Sequence, residues 1–187
     1  MANATTAFGF RPVKEPDPSS LLTVVALASY GTALYIGDAV VPAGSGSTVN
    51  GYMSVARAAA GNNNVIGVIV GFEPTSPDSL TTKYGVASTL RYCKIVPAFQ
   101  STIFEVMMDG SADVDSIGNG ADIVATAGSA TTGFSGMTCD TSLATTGKSL
   151  RILSYVNRPD NEFVSAGTGI KAHVFFAESY WNNGDGV

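Results

Sequence analysis

Apolar residues along the chain occur in short runs and not in a helical repeat. The runs are rich in Val, Ile, Tyr and Thr, and each is bounded by Gly, Pro, Asn or Ser. That combination is typical of β-strands. No segment keeps apolar residues at positions i, i+3, i+4 and i+7 between capping residues, so no long helix is predicted. The predicted strands are residues 23–28, 33–36, 38–41, 52–56, 65–70, 90–96, 102–108, 122–125, 150–156 and 170–177.

One predicted strand is apolar on both faces. Val68, Ile69 and Val70 lie between Gly67 and Gly71, and a strand of this kind is usually covered on both sides. Many short strands with frequent turns and no alternating helices predict an all-β fold, an antiparallel sandwich or barrel of jelly-roll type. A single helical turn over residues 54–60 is the alternative to a strand there.

The two ends of the chain differ from the predicted domain between them. Residues 1–20 form an extended arm, since Pro16 and Pro18 block a helix. Residues 21–180 form one β-rich domain, and residues 181–187 form a polar tail. Within the domain, residues 127–148 are mostly Ala, Gly, Ser and Thr, which indicates a long loop.

Two aromatic residues and an arginine stand out in the polar arm. They are Phe8, Phe10 and Arg11, and Pro12 follows them. Either they fold back on the arm's own domain, or they dock on a neighbouring subunit. We predict that all four contact a partner.

The most concentrated polar motif is Arg158-Pro159-Asp160-Asn161-Glu162. It follows a predicted strand, and Pro159 restricts its backbone, so a structural turn is one interpretation. A contact between subunits is the other. Arg158 and Glu162 are the predicted contact residues.

Composition narrows the function further. Only 13% of the residues are charged, against about 25% in an average domain, so we expect much of the surface to be covered by another protein. A net charge of -5 argues against nucleic-acid binding, which needs a basic face. No apolar run approaches the about 20 residues of a membrane helix. Two cysteines are too few for a disulfide framework and indicate a reducing cytoplasm.

Two motifs resemble catalytic or nucleotide-binding chemistry. Residues 146–149, Thr-Gly-Lys-Ser, match the end of a phosphate-binding loop, but Ser142 replaces its first glycine and a strand follows in place of a helix. His173, the single histidine, lies in the last predicted strand without a candidate catalytic partner. We therefore predict no catalytic residue and no cofactor, and that the chain is not an enzyme.

An acidic stretch raises the question of calcium. Carboxylate oxygens at this density suit Ca²⁺, although Ile117 and Val124 occupy positions where an EF-hand needs ligands. A solvated turn is favoured over a metal site, and calcium binding stays open. The aspartates are Asp109, Asp113, Asp115 and Asp122.

Several short motifs together resemble one group of viral proteins. They are, in order, Phe8-Gly9-Phe10-Arg11-Pro12-Val13, Gly37-Asp38-Ala39-Val40, Val65-Ile66-Gly67-Val68 with Gly71-Phe72, residues 104–110, Ile117-Gly118 with Ala121-Asp122, and residues 150–153 with Arg158-Pro159-Asp160-Asn161. The chain is similar, over most of its length, to the small cement, decoration or stabilisation proteins of tailed-bacteriophage heads.

That resemblance implies a β-rich virion protein, made in the bacterial cytoplasm, on the outer surface of the capsid. It would bridge copies of the major capsid protein and pair with itself as a homodimer or homotrimer at capsid symmetry axes, with no nucleic-acid or membrane partner. Another phage structural subunit, from the tail, the connector or a fibre, is the first alternative. The second is a carbohydrate-binding β-sandwich, for which Trp181 is the only tryptophan that could stack on a sugar.

Overall fold

The computed structural model describes residues 3–14, 21–46, 50–61, 64–76, 80–162 and 167–182. These residues form twelve strands and a 3-10 turn at Val114–Ser116, which confirms the all-β prediction. The strands are β1 (Arg11–Lys14), β2 (Leu22–Ala26), β3 (Ala39–Gly46), β4 (Met53–Arg57), β5 (Gly67–Glu73), β6 (Arg91–Pro97), β7 (Ile103–Met107), β8 (Gly120–Ala121), β9 (Ile123–Val124), β10 (Thr138–Cys139), β11 (Leu150–Tyr155) and β12 (Lys171–Phe176).

Five strands close into a barrel in the order β2-β4-β3-β5-β6. The pair β2 and β4 is parallel and the others are antiparallel. Val24, Ile69 and Ile95 are among the side chains that fill the barrel. Val68, next to Ile69 on β5, faces a different core outside the barrel. The prediction that this segment is covered on both faces is therefore confirmed.

The second core lies between the barrel wall and an open sheet of order β1-β7-β12-β11-β8. Phe104 on β7 and Phe176 on β12 are fully buried there, with ring centroids 5.3 Å apart. Strands β9 and β10 form a separate antiparallel pair. Two cores, one inside the barrel and one beside it, thus join the parts of the chain into one unit.

Both predicted domain boundaries shift. The arm enters the sheet as β1, which pairs with β7, so its described residues belong to the domain. Trp181 also belongs to it, because its Nε1 donates to the Ile66 carbonyl at 2.7 Å and its ring lies 5.3 Å from that of Phe99. Residues 15–20, 62–63 and 183–187, which include Pro16 and Pro18 of the arm and most of the predicted tail, lie outside the described residues.

Residues 54–57 belong to β4, so the strand predicted over residues 52–56 is confirmed and its alternative, a helical turn, does not form. One local prediction is wrong. Residues 33–36 are not a strand, since Leu34 and Ile36 make only isolated bridges. A turn interrupts this segment: the Asp38 carboxylate accepts a hydrogen bond from the Tyr35 amide at 2.8 Å, and Gly37 adopts φ +93°. A chain that turns at this point cannot continue the hydrogen-bond ladder of a strand.

Candidate interaction surfaces

A close contact between Gly9 and Gly37 holds the N-terminal arm against the turn before β3. Gly9 and Gly37 have φ of +75° and +93°. A Cβ on Gly9 would lie 2.5 Å from the Gly37 carbonyl oxygen, which is closer than a side chain tolerates. The Phe10 amide donates to that same oxygen at 2.9 Å. Glycine at both positions therefore lets the arm lie directly on the turn before β3.

Phe10 points from this contact into the second core. Its side chain is 2% exposed, and its ring centroid lies 5.4 Å from that of Phe176. The structure thus corrects the partner contact predicted for Phe10, because the ring fills the core of its own chain. For this residue the arm folds back on its own domain.

Phe8, Arg11 and Pro12 lie on the surface instead, at a shallow cavity of about 200 Å³. The Arg11 guanidinium carbon lies 4.7 Å from the Phe8 ring centroid, in a cation–π contact. Ile36 and Phe134 line the same cavity. We call these five residues the arm surface. The partner contact predicted for Phe8, Arg11 and Pro12 stays a prediction, and the structure places them where a partner can reach them.

Phe134 is an exposed aromatic side chain on a well-bonded loop. It is 47% exposed. Its carbonyl accepts the Ser129 amide at 3.0 Å, while the Ile36 amide donates to the Gly133 carbonyl at 3.0 Å and Ser135 donates back to Ile36 at 2.8 Å. Sequence reasoning missed this residue. The available signal was one aromatic residue in the long stretch of small ones.

A buried carboxylate supports the turn beneath the arm surface. Asp38 is fully buried and accepts the Tyr35 amide at 2.8 Å and the Ser135 hydroxyl at 2.6 Å. Burial raises the pKa of Asp38 although both hydrogen bonds favour the charged form. The side chain therefore ties the turn before β3 to the loop that carries Phe134.

The motif after β11 is held by charged groups of its own chain. Both Arg158 terminal nitrogens donate at 2.8 Å to Glu105, which is 1% exposed, and its Nε donates at 3.0 Å to Asp160. Glu105 and then Asp160 raise the pKa of Arg158, and Arg158 lowers that of Asp160. The Asn161 side chain accepts a hydrogen bond from the Lys171 amide at 2.7 Å and donates one to the Lys171 carbonyl at 3.0 Å. The contacts of the Arg158 guanidinium therefore hold the turn of its own chain to the sheet.

Beside that motif runs an open groove of about 840 Å³. Val114 and Ile117 lie on one side and are 54% and 45% exposed. Tyr155, Pro159 and Glu162 also line it. We call these five residues the turn groove. Both predicted contact residues of the motif, Arg158 and Glu162, line this groove, and their contact with a partner stays a prediction. The two exposed aliphatic residues were missed because their run, in an acidic stretch, had no strand or helix pattern.

Hydrogen bonds join the arm to the turn groove. The Asn3 side chain donates to the Glu162 carbonyl at 2.9 Å and accepts the Glu162 amide at 2.7 Å. The two predicted contact segments, far apart in the sequence, therefore meet at one end of the arm.

His173 does find a partner in the fold. Its Nδ1 lies 3.2 Å from the Ser154 hydroxyl on the neighbouring strand. A nucleophile–base pair also needs a group that orients the base. Glu105 is aligned with His173 across the sheet, but both of its oxygens accept hydrogen bonds from Arg158. The same face of the sheet therefore carries two polar pairs, His173 with Ser154 and Glu105 with Arg158.

The acidic stretch does not converge on a point. Asp113 accepts the amide of the 3-10 turn at 2.5 Å, Asp109 accepts the Thr141 amide at 3.0 Å, and Asp122 pairs with Lys148 at 2.7 Å. Among the described residues, no three His, Cys, Asp or Glu side chains are grouped so that they could hold a metal. Lys148, the lysine of the segment that resembles a phosphate-binding loop, is therefore paired with a carboxylate. The strand β11 follows that segment, as predicted.

Comparison of the chain with protein-family profiles, curated proteins and solved structures gave no match. In the part of the chain that the structure describes, no helix has the length and apolar character needed to cross a membrane.

Proposed function

We propose that the chain is a virion structural protein, a capsid cement protein that binds the outer surface of a phage head and bridges subunits of the major capsid protein without catalysis. One observation carries the proposal. Among the described residues, the arm surface and the turn groove are two apolar surfaces with no residue in common. A protein that bridges needs two such surfaces, whereas a simple binding module needs one.

The sheet order separates the two surfaces. Arg11 and Pro12 lie on the edge strand β1, and Tyr155 ends β11, with β7 and β12 between those strands. Neighbouring strands are about 4.8 Å apart, so the two strands are about 14 Å apart across the sheet. The two surfaces are therefore distinct patches, joined at one point by the hydrogen bonds between Asn3 and Glu162.

The chemistry of both surfaces suits a lasting contact. Exposed aromatic and arginine side chains carry most of the energy of many interfaces, inside a rim of weaker contacts. Phe8, Phe134 and Arg11 supply such anchors on one surface. The other surface offers the exposed aliphatic side chains of Val114 and Ile117 beside the partly buried ring of Tyr155. The low charge of the chain fits a surface that is covered after assembly.

Binding to capsids tests the proposal. Heads assembled from the major capsid protein of the same virus are mixed with purified chain and sedimented. Phe134→Ser on the arm surface and Ile117→Ser in the turn groove should each weaken binding at least tenfold, since an anchor is worth about 2 kcal/mol or more. Val86→Ser, an exposed apolar residue outside both surfaces, is the matched control. If the double variant saturates heads like the control, the proposal is wrong.

Copy number separates a cement protein from a tail, connector or fibre subunit. We expect quantitative mass spectrometry of the particle to find this chain at a level comparable to the major capsid protein. A few copies per particle would favour the alternative.

A further inference from the structure

The outer wall of the barrel carries a second kind of surface feature, a small pocket with two tyrosines. Tyr52 lies just before β4 and Tyr92 lies on β6, with ring centroids 5.8 Å apart and planes at 73°. Asn50 and Glu73 complete an open pocket of about 400 Å³. We call these four residues the tyrosine pocket. It shares no residue with the arm surface or the turn groove.

Hydrogen bonds and an ion pair hold the polar groups of the pocket in place. The Asn50 side chain donates to the Tyr92 hydroxyl. The Glu73 carboxylate lies 2.7 Å from the Lys94 ammonium, which also donates to the Thr23 hydroxyl at 2.6 Å. Side chains that are fixed before a ligand arrives lose less conformational entropy on binding. Lys94 also cancels the charge of Glu73, so the pocket suits a neutral ligand.

The groups that remain available combine an apolar ring with several hydrogen-bonding atoms. Tyr52 is 41% exposed and offers a ring face or edge. Carboxylate oxygens accept hydrogen bonds from hydroxyls, and an amide both donates and accepts. A sugar ring presents C–H groups on its faces and hydroxyls around its rim, which is the complement of this set. A nucleotide fits less well, because Lys94, the cation beside these four residues, is already paired with Glu73 and bonded to Thr23 and is not free to bind phosphates.

We propose that the tyrosine pocket binds neutral carbohydrate, with a pyranose ring against Tyr52 and its hydroxyls bonded to Glu73 and Asn50. This goes beyond the proposed function, because the pocket is separate from the two bridging surfaces. Its residues also differ from Trp181, the candidate from the sequence, whose indole is packed against Phe99.

Nuclear magnetic resonance of the full ¹⁵N-labelled chain tests the proposal without any capsid. The probes are cellotriose, mannotriose, galactotriose and triacetylchitotriose, each titrated to tens of millimolar. We expect at least one probe to give saturable shifts at the amides of Tyr52, Glu73 and Tyr92. Tyr52→Ala should weaken that binding at least tenfold. Tyr84→Ala removes a tyrosine outside the pocket and should leave the affinity unchanged.

The result is decisive in either direction. No saturable shift with any of the four probes overturns the proposal, and so do shifts that map elsewhere or persist unchanged in Tyr52→Ala. Tyr52 is exposed, so its truncation should preserve the amide spectrum of the fold. A failure here leaves the capsid-binding result unaffected, and the reverse holds as well.

Discussion

Replacing Arg158 measures how strongly the turn after β11 is held to the sheet. Arg158→Met removes the guanidinium and keeps a long side chain. Glu105, which is 1% exposed, then keeps a buried carboxylate that has lost two hydrogen bonds of 2.8 Å. Removing one partner of a buried pair costs about 3–5 kcal/mol. The Arg158 side chain is 39% exposed, so water reaches the site and we expect a loss of about 3 kcal/mol in the free energy of unfolding.

Urea unfolding followed by circular dichroism at neutral pH measures that loss. Arg151→Met is the matched control. Arg151 lies on β11, the strand that leads into the turn, and its guanidinium donates to two backbone carbonyls, at 3.0 and 3.4 Å, and not to a buried carboxylate. Its loss should stay below about 1 kcal/mol. The double variant Arg158→Met/Glu105→Met removes both charges and should recover most of the stability. If Arg158→Met loses no more than the control, the pair does not hold the turn, and the argument that Arg158 serves its own chain fails.

Three further outcomes follow from buried groups. Phe10→Ala should cost about 3–5 kcal/mol and lower Tm by about 10 °C, far more than Phe8→Ala, and equal losses would contradict the core position of Phe10. Burial raises the pKa of Asp38 above that of a free aspartate, so the folded state holds the proton more tightly than the unfolded state. Stability should therefore fall as pH rises from about 4 through the folded pKa, and it should level off above that pKa. Asp38→Asn should remove that slope in urea titrations, and a slope that survives would refute the assignment. Burial raises the pKa of Cys93 to about 12 and that of Cys139 still further, so a thiol reagent at about pH 8 should label neither until urea is added, and rapid labelling of the native chain would contradict this.

The sequence predicts a segment correctly where the local pattern of apolar residues determines its structure, and not where a side-chain hydrogen bond does. The run at Val68 and Ile69 is apolar on both faces, and both faces meet a core. Residues 33–36 have the same apolar character, but a buried hydrogen bond from the Tyr35 amide to Asp38 turns the chain. That bond leaves no trace in the pattern of apolar residues. Strand β1 lies in the segment predicted as an extended arm, whose pairing with β7 was not predicted. Pro12 has no amide to donate, which an edge strand tolerates.

The candidate surfaces were predictable only where a residue is unusual in its surroundings. Phe8 and Arg158 stand out in polar segments and were singled out for that reason, and their contact with a partner stays a prediction. The turn groove forms where Ile117 and Tyr155, from separate segments, come together, and no local pattern reports such a meeting. Likewise the partner of Arg158 lies 53 residues away, so the sequence left its role open between a turn and an interface.

The order of strands along the chain sets an order in which the molecule can be built. All five barrel strands lie between residues 22 and 97 and can close as soon as that stretch leaves the ribosome. The open sheet cannot, because its middle strand, β12, is at residues 171–176. Until then β7 lacks one neighbour and Phe104 lacks the ring that covers it. Pairings between distant segments form slowly. We therefore expect the nascent chain to pass through an intermediate in which the barrel is closed and the open sheet still lacks β12, its middle strand.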